Sequence, residues 1–183
     1  MKSLIVILAV LVSHSAVAAD ACSSQLPKSL QAELAAAFPA FRVPAVKDNL
    51  PEDVQYDLAH TGNSCLGVAA ADFEGNGTKD YAVALTALHG GGWAVVVALS
   101  QKAKWQLHQL AASQDGRSSL YVSTEKPGKY VRTGALDGAL EPGELAQMNC
   151  RNPVAAYGAL NRPRSFIATR AGHGHTFGYP TSA

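Results

Sequence analysis

Residues 66 to 85 combine two apolar segments with an acidic, glycine-rich loop between them. In the loop, oxygen-bearing side chains recur at every second position, with glycines at the fourth and sixth: Asp72, Glu74, Asn76, Thr78 and Asp80, with Gly75 and Gly77. The three carboxylates repel one another in a tight turn, whereas a hard cation can exchange its water shell for their oxygens. The pattern therefore predicts two strands joined by a metal-stabilised loop, and not a catalytic centre.

The same loop resembles the calcium loop of FG-GAP and VCBS-type repeats. The match runs from Ala71 to Val83, through an Ala-Asp-Phe lead-in, an Asn-Gly pair and an aspartate at the ninth loop position. The resemblance implies that calcium is held by the backbone carbonyl of one residue, Thr78, and by the side chains of Asp72, Glu74, Asn76 and Asp80. In that family such loops lie in β-propeller blades, but this chain has one copy and a propeller needs several blades. We therefore expect the loop without the propeller.

Two alternatives to this calcium loop are an EF-hand and a metal-free turn. An EF-hand also has glycine at the sixth position, as Gly77 is here, but it requires a bidentate glutamate at the twelfth, where this chain has Val83. The flanking segments also read as strands, so we reject the EF-hand. A Glu-Gly-Asn-Gly sequence can also form a hairpin turn with no metal, and this alternative stays open.

The N-terminus, residues 1–19, has the three parts of a secretory signal peptide. A positive start at Lys2 precedes the apolar run 4–12, and small residues then lead to a cleavage site after Ala18 or Ala19. The apolar run is too short to cross a membrane. We therefore expect a periplasmic or secreted protein with no membrane span after signal removal.

Three cysteines, Cys22, Cys65 and Cys150, imply one disulfide and one free thiol in an oxidising compartment. We predict a Cys65–Cys150 bridge, because Cys22 lies in an N-terminal segment that we expect to be mobile. The rival Cys22–Cys65 bridge would instead tie down the N-terminal helix. Lipid attachment at Cys22 is a weaker alternative, because Asp20 suits a lipoprotein signal badly.

Hydrophobic periodicity predicts an α+β fold, in which an N-terminal helix packs on an antiparallel β-meander. The helix is expected over Gln25–Phe38, with Ser24 as its cap, and the segment 41–63 is expected to be irregular. Beyond Cys65 the pattern changes to short strands separated by turns, predicted at 66–71, 80–86, 93–99, 104–110, 120–123 and 129–133, and residues 154–160 are expected to form a last buried segment.

Two of these predicted strands, 120–123 and 129–133, are expected to form a hairpin with each other. The signal peptide at 1–19 is followed in this interpretation by one domain over 20–160 and by a poorly ordered tail over 161–183.

The charge balance and the absence of catalytic sequence motifs limit the classes of function that we consider. Fifteen Lys and Arg residues face fourteen Asp and Glu residues, which argues against a nucleic-acid partner. No nucleophile elbow or zinc-protease motif occurs, so we nominate no catalytic residue. His173 and His175 could contact a metal, but in a glycine-rich tail they are more simply exposed to solvent.

The resulting hypothesis is an exported, non-catalytic binding protein with a calcium-stabilised loop and a protein partner in the periplasm or outside the cell. The alternatives are a periplasmic hydrolase acting on cell-envelope material and an inhibitor or immunity-type protein.

Overall fold

The structure is a computed structural model that describes residues 20–102, 104–114, 116, 120–131, 147–159, 165–170 and 173–177. The predicted signal peptide lies outside the described residues. The helices are α1 (Ala21–Ser24), α2 (Lys28–Ala37) and α3 (Pro51–Thr61), with a short 3-10 helix at Val46–Asp48. The strands are β1 (Phe41–Arg42), β2 (Val68–Ala71), β3 (Asp80–Ala87), β4 (Trp93–Gln101), β5 (Lys104–Ser113), β6 (Leu120–Glu125), β7 (Gly128–Val131), β8 (Gln147–Cys150), β9 (Val154–Ala159), β10 (Ser165–Arg170) and β11 (His173–Phe177).

The main sheet is antiparallel and is built around β3. On one side of β3, β4 and then β5 follow as a meander, as the sequence predicts. On the other side, β2 pairs with the first half of β3 and β1 pairs with its end. The acidic loop connects β2 to β3 in this sheet, so the strand–loop–strand prediction is confirmed.

Both faces of this sheet are covered. On one face, Leu30 and Leu34 of α2 pack against side chains that include Val83 and Val96. On the other face, the alternate residues of the same strands, which include Val95 and Val97, pack against apolar side chains of a second sheet. The side chains from the second sheet include Leu120, Val122 and Ala155. Because both faces are buried, β3 and β4 have nearly continuous apolar sequences. The alternation of apolar and polar residues that is common in antiparallel sheets is therefore absent from these two strands.

The second sheet has the strand order β11-β10-β9-β6, and a separate ribbon pairs β7 with β8. The predicted hairpin of 120–123 with 129–133 is therefore wrong, because β6 pairs with β9 and β7 pairs with β8. These are pairings between segments that are distant in the chain, so local turn residues do not reveal them. The predicted final segment at 154–160 is present as β9.

The N-terminal helix is interrupted. Pro27 has ψ of 142° and precedes α2 as its N-cap, so one helix over Gln25–Phe38 is wrong. Ser24 does not cap that helix, because it is the last residue of α1 and its Oγ donates to the carbonyl of Ala21. The packing of α2 on the sheet is as predicted.

The irregular segment predicted at 41–63 contains α3, and the prediction is wrong there. Pro51 occupies the first turn, and Gly62 ends the helix in the left-handed conformation, with φ of 75°. Of the α3 residues, Val54 is the buried one. A single buried residue produces little periodicity, which is why the pattern did not indicate a helix.

The range predicted as the tail contains two strands. Within 161–183, the segments Ser165–Arg170 and His173–Phe177 are strands, and β10 pairs with β9 across the boundary expected at 160. The remainder of the tail lies outside the described residues.

The α+β fold class is confirmed, with antiparallel strands in open sheets and without a propeller. Across the part of the chain that the structure describes, none of the helices has the length and apolar character needed to cross a membrane.

Candidate functional site

Asp80, the last residue of the acidic loop pattern, is fully buried at the start of β3. Its Oδ2 accepts hydrogen bonds from the backbone N–H groups of Phe73 (2.9 Å) and Glu74 (3.3 Å). Its Oδ1 accepts a third from the backbone N–H of Ser100 in β4, at 2.8 Å. The side chain of Asp80 therefore connects the beginning of the loop to β4.

Asp72 organises the other half of the loop. Its two carboxylate oxygens accept from the backbone N–H groups of Gly77 (2.7 Å) and Asn76 (3.0 Å). The Oδ1 of Asn76 then accepts from the backbone N–H of Thr78 at 2.8 Å and also from its hydroxyl. The loop residues are thus held in a defined turn by their own oxygen atoms.

The three carboxyls experience different environments. The hydrogen bond from Gly77 lowers the pKa of Asp72, which is held in its charged form. Burial raises the pKa of Asp80, against the effect of its three backbone donors. Desolvation raises the pKa of Glu74, and the negative charges of Asp80 and Asp72 raise it further. The environment thus favours the charged form of Asp72 and opposes ionisation of Glu74 and Asp80.

The turn between β8 and β9 contacts the acidic loop. The Nδ2 of Asn152 donates to the carbonyl of Phe73 at 3.4 Å. Gly75 has φ of 72°, and a Cβ added there would lie 2.6 Å from the side-chain Nδ2 and Oδ1 of Asn152. The loop therefore needs glycine at position 75 both for its backbone conformation and for the close approach of Asn152. The sequence gave no signal for this contact, which joins residues 79 positions apart.

The predicted metal ligands are brought to one loop, and their oxygen chemistry suits calcium. Asp72, Glu74 and Asn76 lie on the accessible side of the loop, whereas Asp80 is enclosed and faces backbone donors. Among the residues that the structure describes, no three histidine, cysteine, aspartate or glutamate side chains come together in a group that could hold a metal ion. The oxygen donors of the loop therefore suit calcium in their chemistry, but in this structure the three carboxylates are not gathered around one point, and Asp80 accepts from backbone N–H groups.

The disulfide differs from the predicted one. Cys22 is bonded to Cys65, and Cys150 is free, so the Cys65–Cys150 prediction is wrong. The Cys65–Cys150 prediction rested on the expectation that the N-terminal segment is mobile. In the structure Asp20 accepts from the backbone N–H groups of Cys22 and Val46, which fixes this segment against the core. The bridge also occupies the sulfur that lipid attachment at Cys22 would need.

The free thiol of Cys150 is not in an environment that activates it. Cys150 lies half-buried on β8, and desolvation raises the pKa of its thiol. A nucleophilic cysteine needs the opposite shift, because the thiolate is the reactive form. Desolvation therefore does not favour Cys150 as a nucleophile.

The sequence also gave no indication of a polar cluster beside β3. Arg42 forms a salt bridge with Asp48 (2.5 Å), and Asp48 also accepts from the hydroxyl of Thr86 at 2.8 Å. Burial opposes ionisation of Asp48, but hydrogen bonds from Arg42, the backbone N–H of Ala45 and Thr86 hold its pKa below the usual range. The cluster ties the 3-10 helix to the sheet and is structural.

Comparisons with known proteins define no class for this chain, since no protein-family model, curated protein or solved structure matches it.

Proposed function

We propose that this chain is an exported, non-catalytic binding protein whose acidic loop is stabilised by calcium. The observation that supports a structural role for the loop is the use of its carboxylates. Asp72 and Asp80 accept backbone N–H groups on both sides of the turn, so they shape the backbone and do not face a substrate. The Cys22–Cys65 disulfide is compatible with an oxidising compartment, and we place the protein in the periplasm or outside the cell.

Calcium in this proposal would be held by the accessible oxygen atoms of Asp72, Glu74 and Asn76 and by the carbonyl of Thr78. The ion would supply positive charge to a loop in which desolvation and, after it, the neighbouring carboxylates raise the pKa of Glu74. Asp80 contributes by holding the backbone from which these donors project. Calcium sites of extracellular modules have dissociation constants of about 0.1–1 mM, and we expect that range here.

A thermal melt of the mature protein tests the calcium site. Calcium at about 100 times its dissociation constant adds about 2.7 kcal/mol of stability, and we expect the Tm to rise by several degrees relative to a chelator. The rise should disappear in Asp72→Ala, because that variant removes an accessible ligand. An unchanged wild-type Tm would contradict the calcium site and would leave residues 72–80 as a metal-free turn.

The partner surface that we propose is the outer face of α3. Tyr56 is 64% exposed, and its ring stacks on that of His60 with centroids 4.0 Å apart. A fixed, exposed tyrosine is the kind of residue that dominates binding energy at protein interfaces. An exposed tyrosine ring contributes little to the free energy of folding. This supports a role for Tyr56 in binding a protein partner.

A capture experiment tests this surface. The mature protein, immobilised and exposed to periplasmic extract, should retain one partner in stoichiometric amount, and Tyr56→Ser should release it. Leu88→Ser is the matched control, because Leu88 is also exposed (51%) but follows β3 and lies outside α3. Equal retention by Tyr56→Ser and the wild type would reject the α3 surface.

A further inference from the structure

The tip of the acidic loop carries the one Asn-Gly pair of the sequence, Asn76 and Gly77. Asparagine is a chemically labile residue, and a following glycine favours its breakdown because glycine has no Cβ to shield its backbone nitrogen. Both residues are exposed, and a Cβ added at Gly77 would meet nothing within 4 Å. A reactive pair therefore lies where water can reach it.

The reaction open to this pair is loss of the side-chain amide. The backbone nitrogen of Gly77 attacks Cγ of Asn76, the Cγ–Nδ2 bond breaks, and the proton of the Gly77 N–H leaves with Nδ2 as ammonia. Water then opens the resulting five-membered imide at one of its two carbonyls, so that residue 76 becomes aspartate or isoaspartate. One water is consumed and one ammonia is released, and no oxidant or cofactor is needed.

In the folded loop, both reacting groups are held by other partners. The N–H of Gly77 donates to Oδ2 of Asp72 at 2.7 Å, and the N–H of Asn76 donates to Oδ1 of Asp72 at 3.0 Å. The side chain of Asn76 is also fixed, because Nδ2 donates to Oε2 of Glu74 at 3.2 Å and Oδ1 accepts from the N–H of Thr78 at 2.8 Å. Since the attack removes the proton of Gly77, the hydrogen bond from this N–H to Asp72 must be lost on the way.

We propose that Asn76 is a deamidation site and that Asp72 slows its reaction in the folded loop. A hydrogen bond to a charged acceptor is stronger than one between neutral groups, so its loss on the way to the imide adds to the barrier. The product would place a carboxylate beside Glu74, where Nδ2 of Asn76 now donates, and would replace this hydrogen bond with repulsion.

Peptide mapping by mass spectrometry tests the proposal on the mature protein. The deamidated fraction at residue 76 is followed in mildly alkaline buffer that contains a chelator, so the result does not depend on the calcium site. Asp72→Ala should react at least about tenfold faster than the wild type, the factor that corresponds to one hydrogen bond to a charged group. Asn63, which precedes Ser64, is the internal control in the same digest and should react slowly in both proteins.

The same rates in guanidinium chloride separate the folded loop from the local sequence. Both proteins should then react equally fast, because the hydrogen bond to Asp72 is absent from the unfolded chain. Asp72→Asn, which keeps one acceptor oxygen without the charge, is the second folded variant and should give an intermediate rate. Equal rates of the folded proteins would overturn the proposal. A slower reaction in Asp72→Ala would also overturn it, since the carboxylate would then act as a base.

Thermal melts with chelator test the effect of the product. Asn76→Asp imitates the aspartate product, whereas Asn76→Ser removes the same amide without adding charge. We expect Asn76→Asp to have the lower Tm, because it alone adds a charge beside Glu74. An equal Tm for the two variants would overturn the expected repulsion.

Discussion

Asp80 shows how one side chain can join two other segments of backbone to its own strand. Its carboxylate joins Phe73 and Glu74 of the loop to Ser100 of β4, and the residue itself is fully buried. Hydrogen bonds to charged groups stabilise more than neutral ones, and their loss leaves buried donors unpaired. The sequence pattern presented this aspartate as a metal ligand, but its surroundings are backbone N–H groups.

A second buried carboxylate, Asp48, predicts a specific pH dependence of stability. Its pKa is lowered in the folded protein, so it stabilises the fold above the unfolded-state pKa of about 3.9 and loses this contribution as the pH falls through the lower folded-state value. We expect the Tm difference between the wild type and Asp48→Asn to be largest near neutral pH and to shrink below about pH 4. Thermal melts from pH 7 to pH 2 measure it.

The control for this pH profile is Glu52→Gln, because Glu52 is exposed in the first turn of α3. Its Tm should follow the wild-type profile throughout. A constant difference between the wild type and Asp48→Asn at every pH would contradict the role of the Arg42–Asp48 pair in stability.

At the scale of elements, the acidic loop and the β8–β9 turn form one unit through Gly75 and Asn152. Gly75 and Gly77 both have positive φ, 72° and 82°, so alanine at either position is strained. Only at Gly75 would the added Cβ meet Asn152, whereas nothing lies within 4 Å at Gly77. We expect Gly75→Ala to lower the free energy of unfolding by about 1–3 kcal/mol more than Gly77→Ala does, the usual cost of overpacking.

Urea denaturation in a double-mutant cycle measures this coupling. In an Asn152→Ala background, the two glycine substitutions should have nearly equal effects, because the clashing side chain is gone. Equal effects in the wild-type background would instead show that Asn152 does not restrict the loop.

At the scale of the whole molecule, the Cys22–Cys65 bridge joins the N-terminal segment to the start of the strand region. The cysteines are 43 residues apart, and closing a loop of that length is worth about 4 kcal/mol in the chain-entropy model. We expect Cys22→Ser/Cys65→Ser to lose about this much free energy of unfolding in urea. Reduced wild-type protein should behave in the same way.

Cys150→Ser is the matched control for the disulfide, because Cys150 is free and half-buried. It should leave most of the stability intact, and the wild type should show one thiol that reacts after unfolding. Two further reactive thiols, or a large loss of stability in Cys150→Ser alone, would contradict the observed pairing.

The sequence by itself determined the local parts of this protein. The turn residues of the acidic loop, the apolar runs on either side and the alternation of short strands and turns were enough to predict the β2–β3–β4–β5 meander and the packing of α2 on it. These signals act within about ten residues, through backbone preference and alternation of side chains.

Only the tertiary structure decided how distant segments are matched. It paired β6 with β9, bonded Cys22 to Cys65, placed Asn152 against Gly75, and set the carboxylate of Asp80 against three backbone N–H groups. The physical reason is that such pairings depend on many weak contacts between buried surfaces, summed over the whole core. No short stretch of the sequence contains all the residues that make these contacts.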